Sequence, residues 1–314
     1  MSKLLSIVIP AYNEEDNILN TAKTVLEIAD REQIPCELVF VSDGSGDKTF
    51  SRIREAAKLD SRVRGIEFSR NFGKEAAILA GLATGEGDCF AVMDCDLQHP
   101  PQTLVQMYKL WLQGYDIVEG VKNSRGDESK LYKGLSNLFY SILTKLTGYD
   151  MRNTSDFKLL DKAVVKVLLN MPERKTFFRA LTFWTGFKSC SVSYDVAERV
   201  AGTTKWSTKS LIRYACTNIL SFSSAPLNIV SFIGVAALIF SLILGIQTLI
   251  RWICGNAIEG FTTVILLLLL LGGSILLGLG LIGQYIAAIY EEVKQRPRYI
   301  VVKDTRKEVS DDGR

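Results

Sequence analysis

Residues 90–101 read FAVMDCDLQHPP, an apolar run that opens onto two acidic residues and then breaks at two prolines. The apolar part predicts a buried strand, and alternation along a strand points the carboxylates of Asp94 and Asp96 the same way. Crowded carboxylates resist joint ionisation, and a hard divalent cation that also holds phosphates relieves this through oxygen ligands. The segment therefore favours metal-assisted chemistry on a phosphorylated donor, although Asp-x-Asp also occurs in ordinary surface turns.

Short β-rich runs lie around this segment, at residues 4–9, 36–42, 63–68, 88–93 and 116–120. Helical patterns separate them, such as KEAAILAGLAT from Lys74. Strands that alternate with helices predict an α/β fold with an open, mostly parallel sheet. Because ligands of such sheets collect beyond the carboxyl ends of the strands, we expect Asn13, Asp43, Asn71 and Asp94 to meet at one crevice.

Two long stretches without a charged residue follow Pro226, at residues 227–250 and 261–290. Each exceeds the about 20 residues that cross a bilayer, so they predict a hairpin of two transmembrane helices. The alternative is a pair of buried helices in a soluble core. The predicted organisation is a domain over residues 1–225 with membrane-surface helices, a helical hairpin over residues 226–290 and a basic tail over residues 291–314.

Basic residues flank both predicted spans, whereas the short loop between them carries only Arg251 and Glu259. The positive-inside rule then places both flanks in the cytoplasm. The N-terminus lacks the pattern of a signal peptide. We therefore expect a multi-pass protein of the cytoplasmic (inner) membrane of the cell, with the large domain and both termini in the cytoplasm.

Charge and composition limit the partners that the chain is expected to bind. The formal net charge of +3 argues against a nucleic-acid partner, whereas basic clusters beside the spans suit anionic lipids. Residues 130–146 form an amphipathic pattern that fits either a helix on the membrane surface or one packed on the sheet. The glycine-rich segment LLGGSILLGLGLIG allows close helix packing within one subunit or in a homo-oligomer.

Three further motifs follow the first three predicted strands. VIPAYNEE contains Pro10 to Glu14 at a strand-to-helix turn, where free backbone N–H groups can hold a nucleotide. VSDGSGDKT offers Asp43 to a base or ribose, and SRNFGKEAA offers Arg70 and Lys74 to phosphates. Each motif also has an ordinary interpretation, as a plain turn or as a solvated charge at the start of a helix.

The order of these motifs, followed by two apolar spans, closely resembles that of the family 2 glycosyltransferases of the polyprenyl-phosphate type. That group includes the bacterial undecaprenyl-phosphate glucosyltransferases and dolichol-phosphate mannose synthase. SDFKLLDKAVV, RVAGTTKWS and QRPRY resemble later motifs of the bacterial branch. Ser42, Ser155 and Lys158 depart from that pattern. The resemblance implies a GT-A nucleotide-diphospho-sugar transferase domain.

The resemblance also implies a donor site, a metal site and an acceptor site. Asp94 and Asp96 would surround Mg2+ or Mn2+, and Asp96 and Asp156 would be the catalytic residues. Asp156 would lie on the acceptor side, where it orients more than it deprotonates. The residues implied for the donor nucleotide sugar are Pro10, Ala11, Tyr12, Asn13, Glu14, Asp43, Arg70, Lys74, Asp94, Cys95 and Gln98.

An acceptor phosphate near Asp156 needs cations, because a carboxylate repels it. The candidate cations are Lys122, Arg125, Arg199 and Lys205. The single histidine, His99, could complete a metal shell, but hard cations prefer oxygen ligands and the neighbouring prolines favour a structural turn.

The implied reaction transfers glucose or N-acetylglucosamine from a UDP-sugar to undecaprenyl (polyprenyl) phosphate with inversion. The product would be a monophosphate-linked sugar lipid for modification of cell-envelope glycans. Two alternatives stay open. One is a membrane phosphosugar or nucleotidyl transferase that leaves a diphosphate-linked lipid, and the other is a non-catalytic scaffold with a nucleotide-binding fold.

Overall fold

The computed structural model describes residues 3–122, 154–173, 176–195, 225–254 and 260–306. The chain divides into two compact units. The sheet unit comprises residues 1–144, 149–205 and 296–314, and the hairpin unit comprises residues 145–148 and 206–295. The predictions that concern residues 130–146, Arg125, Arg199 and Lys205 lie outside the described residues.

The described part of the sheet unit alternates strands and helices up to α4 and then adds strands of mixed direction. In chain order, the elements of both units are β1 Leu5–Ala11, α1 Ile18–Arg31, β2 Cys36–Ser42, α2 Thr49–Leu59, β3 Val63–Phe68, α3 Lys74–Thr84, β4 Cys89–Val92, α4 Pro101–Leu112, β5 Ile117–Lys122, β6 Thr154–Asp161, α5 Lys162–Asn170, α6 Phe178–Trp184, β7 Ser189–Tyr194, α7 Ala225–Ile253, α8 Phe261–Val293 and β8 Val301–Asp304.

One eight-stranded sheet organises this unit, in the order β7-β5-β6-β4-β1-β2-β3-β8. β1 pairs in parallel with β2 and β4, β2 with β3, and β5 with β7. β6 runs antiparallel to β4 and β5, and β8 runs antiparallel to β3. The predicted open, mostly parallel sheet is confirmed, and the carboxyl ends of β1 to β5 share one edge.

Helices cover the sheet because their apolar residues recur at helical spacing. α1 buries Ile18, Ala22, Val25 and Ala29, the face that a period of 3.6 residues predicts. α3 approaches β1 so closely that a Cβ on Gly81 would lie 2.2 Å from a Val8 methyl carbon. This packing fixes the first residue of α3, Lys74, above the edge where the strands end.

The end of the chain differs from the basic tail predicted for residues 291–314. Residues 301–304 form β8, which pairs with β3 at the edge of the sheet. The backbone N–H of Ser69 donates to the carbonyl of Ile300 at 3.0 Å, and that of Gly65 donates to Thr305 Oγ1 at 3.0 Å. Tyr299 stacks on Phe68 with ring centroids 5.1 Å apart. The segment after α8 is therefore part of the sheet unit.

Replacing Tyr299 with alanine is expected to lower the free energy of unfolding by about 1–3 kcal/mol, because it removes a partly buried ring stacked on Phe68. Urea unfolding of the full chain in detergent measures this change. Ile300→Ala is the matched control: the Ile300 side chain is exposed and its substitution should change stability by less than about 0.5 kcal/mol. Equal stability of Tyr299→Ala and the control would contradict a packed β8 segment.

The hairpin unit contains the two long apolar helices α7 and α8. Val230–Arg251 and Leu270–Val293 are long and apolar enough to cross a membrane, judged by length and composition alone. Most of their described large apolar side chains are exposed. A Cβ on Gly278 of α8 would lie 3.2 Å from a methyl carbon of Val230, so the small residue allows α7 and α8 to approach closely. The helices agree with the two stretches predicted from the sequence and extend a few residues beyond them.

Candidate active site

Asp94 and Asp156 lie opposite each other at the edge where the parallel strands end. β4 and β6 pair antiparallel with Val92 opposite Lys158. Continuing this register by two residues places Asp94 opposite Asp156. The Asp156 side chain is 8% exposed and that of Asp94 is 34% exposed. Two carboxylates in such a position repel each other unless a cation lies between them.

Lys74, the first residue of α3, supplies that cation. Its Nζ lies 2.5 Å from Asp94 Oδ1 and 2.9 Å from Asp156 Oδ2. Burial opposes ionisation of Lys74, but the two carboxylates outweigh it and raise the pKa of this lysine. The sequence predicted Lys74 as a partner of donor phosphates, and the structure brings it into contact with both carboxylates.

Arg179 on α6 is a second cation on Asp156 that the sequence reasoning missed. Its Nε donates to Asp156 Oδ1 at 2.6 Å, and a terminal nitrogen donates to Oδ2 at 3.0 Å, a bidentate arrangement. Although burial disfavours the charged form of Asp156, Lys74 and Arg179 hold its pKa well below the usual range. A carboxylate with such a lowered pKa is ionised at neutral pH but is a weak base, which agrees with an orienting role better than with that of a general base.

Glu75, the residue after Lys74, binds the first residue of α6. Its Oε2 accepts a hydrogen bond from the backbone N–H of Phe178 at 2.8 Å. Burial, reinforced by the negative charge of Asp156, raises the pKa of Glu75 to about 7. Glu75 is thus partly protonated near neutral pH, whereas the neighbouring Asp156 stays ionised.

Stability should fall as the pH rises through the range in which Glu75 titrates. Above its ordinary pKa of 4.5 the unfolded chain has released this proton, whereas the native protein keeps it up to about pH 7. Glu75→Gln is expected to remove about 1–2 kcal/mol of that fall. Urea unfolding at about pH 5 and about pH 7.5 measures the difference. Glu27→Gln, at an exposed glutamate, is the control and should keep the pH dependence of the wild type. If Glu75→Gln also keeps that pH dependence, the assignment to Glu75 is wrong.

The contacts of His99 are within the protein, in agreement with the structural turn that the neighbouring prolines favoured. The Asp94 backbone N–H donates to its Nδ1 at 3.1 Å, and its ring stacks on Phe157 with centroids 4.6 Å apart. Burial lowers the pKa of His99. A neutral imidazole that accepts this bond holds the backbone of the acidic loop in place.

A buried ion pair lies two residues beyond Asp156 on the same face of β6. Lys158 is fully buried, pairs with Glu119 and donates to Thr182 Oγ1 at 2.9 Å. Burial lowers the pKa of Lys158 despite the carboxylate beside it. Because Thr182 belongs to α6, this pair and Arg179 together fasten α6 to β6.

The loop after β1 is tied to the loop after β2. Asn13 has a φ of 55°, and its Oδ1 accepts from the Gly46 N–H at 2.9 Å. The Glu14 N–H donates to Thr49 Oγ1 at 2.9 Å. Tyr12 is 45% exposed beside this loop. Pro10 and Ala11 end β1, so the residues predicted for donor binding from this motif lie together at the carboxyl edge.

Asp43 braces the loop after β3. Its two carboxylate oxygens accept from the N–H groups of Phe72 and Gly73 at 2.7 and 2.9 Å. Burial raises its pKa, although these two hydrogen bonds oppose the shift. Arg70 packs its guanidinium over the Phe72 ring at 4.1 Å. The donor roles predicted for Asp43 and Arg70 stay predictions, because the contacts that are seen are within the protein.

The acidic loop continues past Asp94 as a tight turn. Asp96 Oδ1 accepts from the Gln98 N–H at 3.1 Å across Leu97, which has a φ of 56°. The Cys95 side chain is buried in the core, and its carbonyl accepts from Thr21 Oγ1 at 2.7 Å. Any contribution of Cys95 to donor binding would therefore come from its backbone.

The donor atoms at this loop suit a hard cation. Asp94 and Asp96 offer carboxylate oxygens, the ligand type that Mg2+ and Mn2+ prefer. Within the described residues, no group of three or more histidine, cysteine, aspartate or glutamate side chains could hold a metal ion. The two carboxylates fit a metal whose remaining ligands come from a diphosphate and water, as is usual for Mg2+.

Of the cations predicted for an acceptor phosphate, Lys122 lies within the described residues. It ends β5, opposite Tyr194 of β7, at the carboxyl edge. Its positive charge contributes to the lowered pKa of His99, which places it within electrostatic reach of the acidic loop.

Comparison with known proteins supports a family assignment. Residues 6–168 match Glycosyl transferase family 2. A putative glycosyltransferase of Bacillus subtilis, CsbB, is 40% identical over 95% of this chain and 91% of its own length. The bactoprenol glucosyl transferase of Shigella phage SfII is 36% identical over 96% of this chain and 98% of its own. The chain belongs to glycosyltransferase family 2.

This family 2 glycosyltransferase shares its fold with a solved enzyme of low sequence similarity. The glucosyl-3-phosphoglycerate synthase of Mycobacterium tuberculosis, in complex with Mn2+, UDP and glucosyl-3-phosphoglycerate, superposes with a TM-score of 0.50. The two share 19% identity, over 69% of this chain and 78% of that one. The GT-A-like sheet predicted from the motifs is thereby confirmed.

Proposed function

We propose that this protein transfers a hexose, with glucose as the first candidate and N-acetylglucosamine as the second, from a UDP-sugar to a polyprenyl phosphate. The observation that carries the proposal is the contact of Asp156 with two cations, Lys74 and Arg179, directly opposite Asp94. Chemistry between a donor diphosphate and an anionic acceptor requires positive charge between the phosphates and the acidic side chains. The similarity to bactoprenol glucosyl transferases over nearly the whole chain supports this acceptor class.

A divalent cation is part of the proposal. Asp94 and Asp96 would hold Mg2+ or Mn2+, and the fold neighbour that contains Mn2+ and UDP supports the same cofactor class. When bound, such an ion stabilises the negative charge of a leaving nucleoside diphosphate. Lys74 already neutralises Asp94, so the protein holds positive charge at this position from its own side chains.

The reaction that fits this site is a direct displacement. An oxygen of the acceptor phosphate forms a bond to the anomeric carbon, the bond to the donor diphosphate breaks, and UDP leaves from the opposite face with inversion. A phosphate monoester with a second pKa of about 6 is largely dianionic at neutral pH and needs no strong base. Asp156 then serves to hold Lys74 and Arg179 in place, which orients them and does not move a proton.

The sheet also bears on membrane topology. β1 to β7 precede α7 along the chain and β8 follows α8, yet all belong to one sheet. An open sheet cannot extend through the hydrocarbon of a bilayer, because its edge strands have unpaired backbone groups. β8 must therefore lie on the same side of the membrane as β1 to β7. This supports two crossings, and the basic flanks support a cytoplasmic sheet unit in the inner membrane.

A product assay tests the proposed function. Full-length protein in bacterial membranes that contain undecaprenyl phosphate would receive radiolabelled UDP-glucose or UDP-N-acetylglucosamine, with Mg2+, Mn2+ or a chelator. We expect chelator-sensitive label in a lipid with one phosphate. A diphosphate-linked product would move the protein to the phosphosugar transferase class. Absence of labelled lipid with every UDP-sugar, from protein that binds UDP, would contradict the proposal.

A further inference from the structure

Helix α6 has one face fixed in the protein and one face turned outward. Phe178, Leu181 and Thr182 are buried, and Glu75 accepts the N–H of Phe178. Lys158 donates to Thr182 from inside the sheet unit. These contacts hold the short helix against β6, so the orientation of its outer face is determined.

The outer face combines a cation with two large aromatic side chains. Arg179 and Phe183 are four residues apart and therefore share a face of the helix. Phe183 is 52% exposed, and Trp184, the next residue, is 74% exposed. Asp156 holds the guanidinium of Arg179, whose Nε lies 2.6 Å from Asp156 Oδ1. We call Arg179, Phe183 and Trp184 together the strip. Along the helix axis, Phe183 lies about 6 Å from Arg179, about one turn, so the strip leads from the charged centre of the site to an apolar surface.

Exposed aromatic pairs of this kind need an explanation. A half-exposed phenylalanine beside a largely exposed tryptophan presents apolar area to water, which is unfavourable relative to burial. The position of this area next to Arg179 restricts what would cover it. A ligand that is anionic at one end and apolar along the rest matches the strip in both charge and polarity.

We propose that the strip formed by Arg179, Phe183 and Trp184 is the part of the acceptor site that binds the phosphate and the adjoining hydrocarbon chain of the lipid. Arg179 interacts with the phosphate from its place on Asp156, and the two rings pack against the first isoprene units. This inference rests on the proposed function, since it requires an acceptor that is a lipid phosphate. It assigns acceptor recognition to a helix that none of the predicted acceptor cations occupies.

Steady-state kinetics of the full-length protein in detergent micelles test this inference, with saturating UDP-glucose and increasing undecaprenyl phosphate. The double variant Phe183→Ala, Trp184→Ala is expected to raise the KM for the lipid about tenfold and to leave the KM for the donor unchanged. Arg179→Ala should raise the acceptor KM as well, and Arg179→Lys should restore part of the loss. Leu59→Ala removes a 78% exposed apolar side chain elsewhere on the sheet unit and should change neither constant.

A direct readout accompanies the kinetics. A polyprenyl phosphate with a photoreactive group on its first isoprene unit should crosslink to residues 183–184 of the wild type. Crosslinks elsewhere, together with an unchanged acceptor KM in the double variant, would overturn the inference. Weaker partitioning into vesicles with an unchanged acceptor KM in micelles would mark the rings as a general membrane anchor and also overturn it. A wild type that binds UDP but glycosylates no lipid phosphate would instead overturn the proposed function.

Discussion

Asp156→Asn is expected to reduce kcat/KM by about 10²–10³-fold, the range seen when one organising electrostatic group of an active site is removed. The amide keeps the shape of the side chain but loses the charge that holds Lys74 and Arg179. Because both cations are partly exposed, the accompanying loss of stability should be about 1–3 kcal/mol. Kinetic assays and urea unfolding of the same preparation measure the two effects separately.

Asp161→Asn is the matched control for this variant. Asp161 lies at the opposite end of β6, where it accepts from the backbone of Ala163 and from Trp111 Nε1. Its substitution should lower stability with little change in turnover of the folded enzyme. A fully active Asp156→Asn enzyme would remove Asp156 from the site.

Asp96→Asn is expected to abolish metal-dependent transfer, with a loss in kcat of more than about 10²-fold, while membrane insertion stays intact. The variant removes one of the two carboxylates that would hold the ion. Mn2+ binding in the presence of UDP, followed by electron paramagnetic resonance, gives a readout apart from turnover and should weaken in parallel.

Asp88→Asn provides the comparison, because Asp88 is a carboxylate at the opposite end of β4 from Asp96. Asp88 is exposed just before β4, and it accepts a hydrogen bond from the Leu4 N–H at 3.0 Å. We expect this variant to bind Mn2+ and to turn over as the wild type does. Near-normal turnover of a correctly inserted Asp96→Asn enzyme would overturn the metal assignment.

The sequence allowed prediction of the parts of the fold that local pattern encodes. The strands at residues 36–42 and 63–68 are confirmed with the same bounds, because each is a short run rich in β-branched and aromatic residues between turn signals. β8 was not predicted. It is four residues long, and its partner, β3, lies more than two hundred residues earlier, so no local signal announces the pairing.

The site likewise contains residues that local sequence predicts and one, Arg179, that it does not. Asp94, Asp96 and Lys74 stand beside turns at strand ends, where parallel-sheet geometry predicts ligands. Arg179 has no such signal, because it is the one basic residue of FFRALTFW, residues 177–184, and lies between aromatic residues. Its role follows from the antiparallel register that places Asp156 beside Asp94 and from the packing of α6, and neither can be read from spacing. The functional roles of these residues stay predictions for the experiments above.

The position of β8 also fixes the order in which the enzyme is completed during its synthesis. The ribosome makes β8 after α7 and α8, so the β3 edge keeps unpaired backbone groups until both apolar helices have emerged. A nascent chain that stalls before this point exposes a sheet edge open to aggregation. Completion of the sheet unit is thus coupled to the emergence of α7 and α8, and a fragment cut before these helices would lack β8.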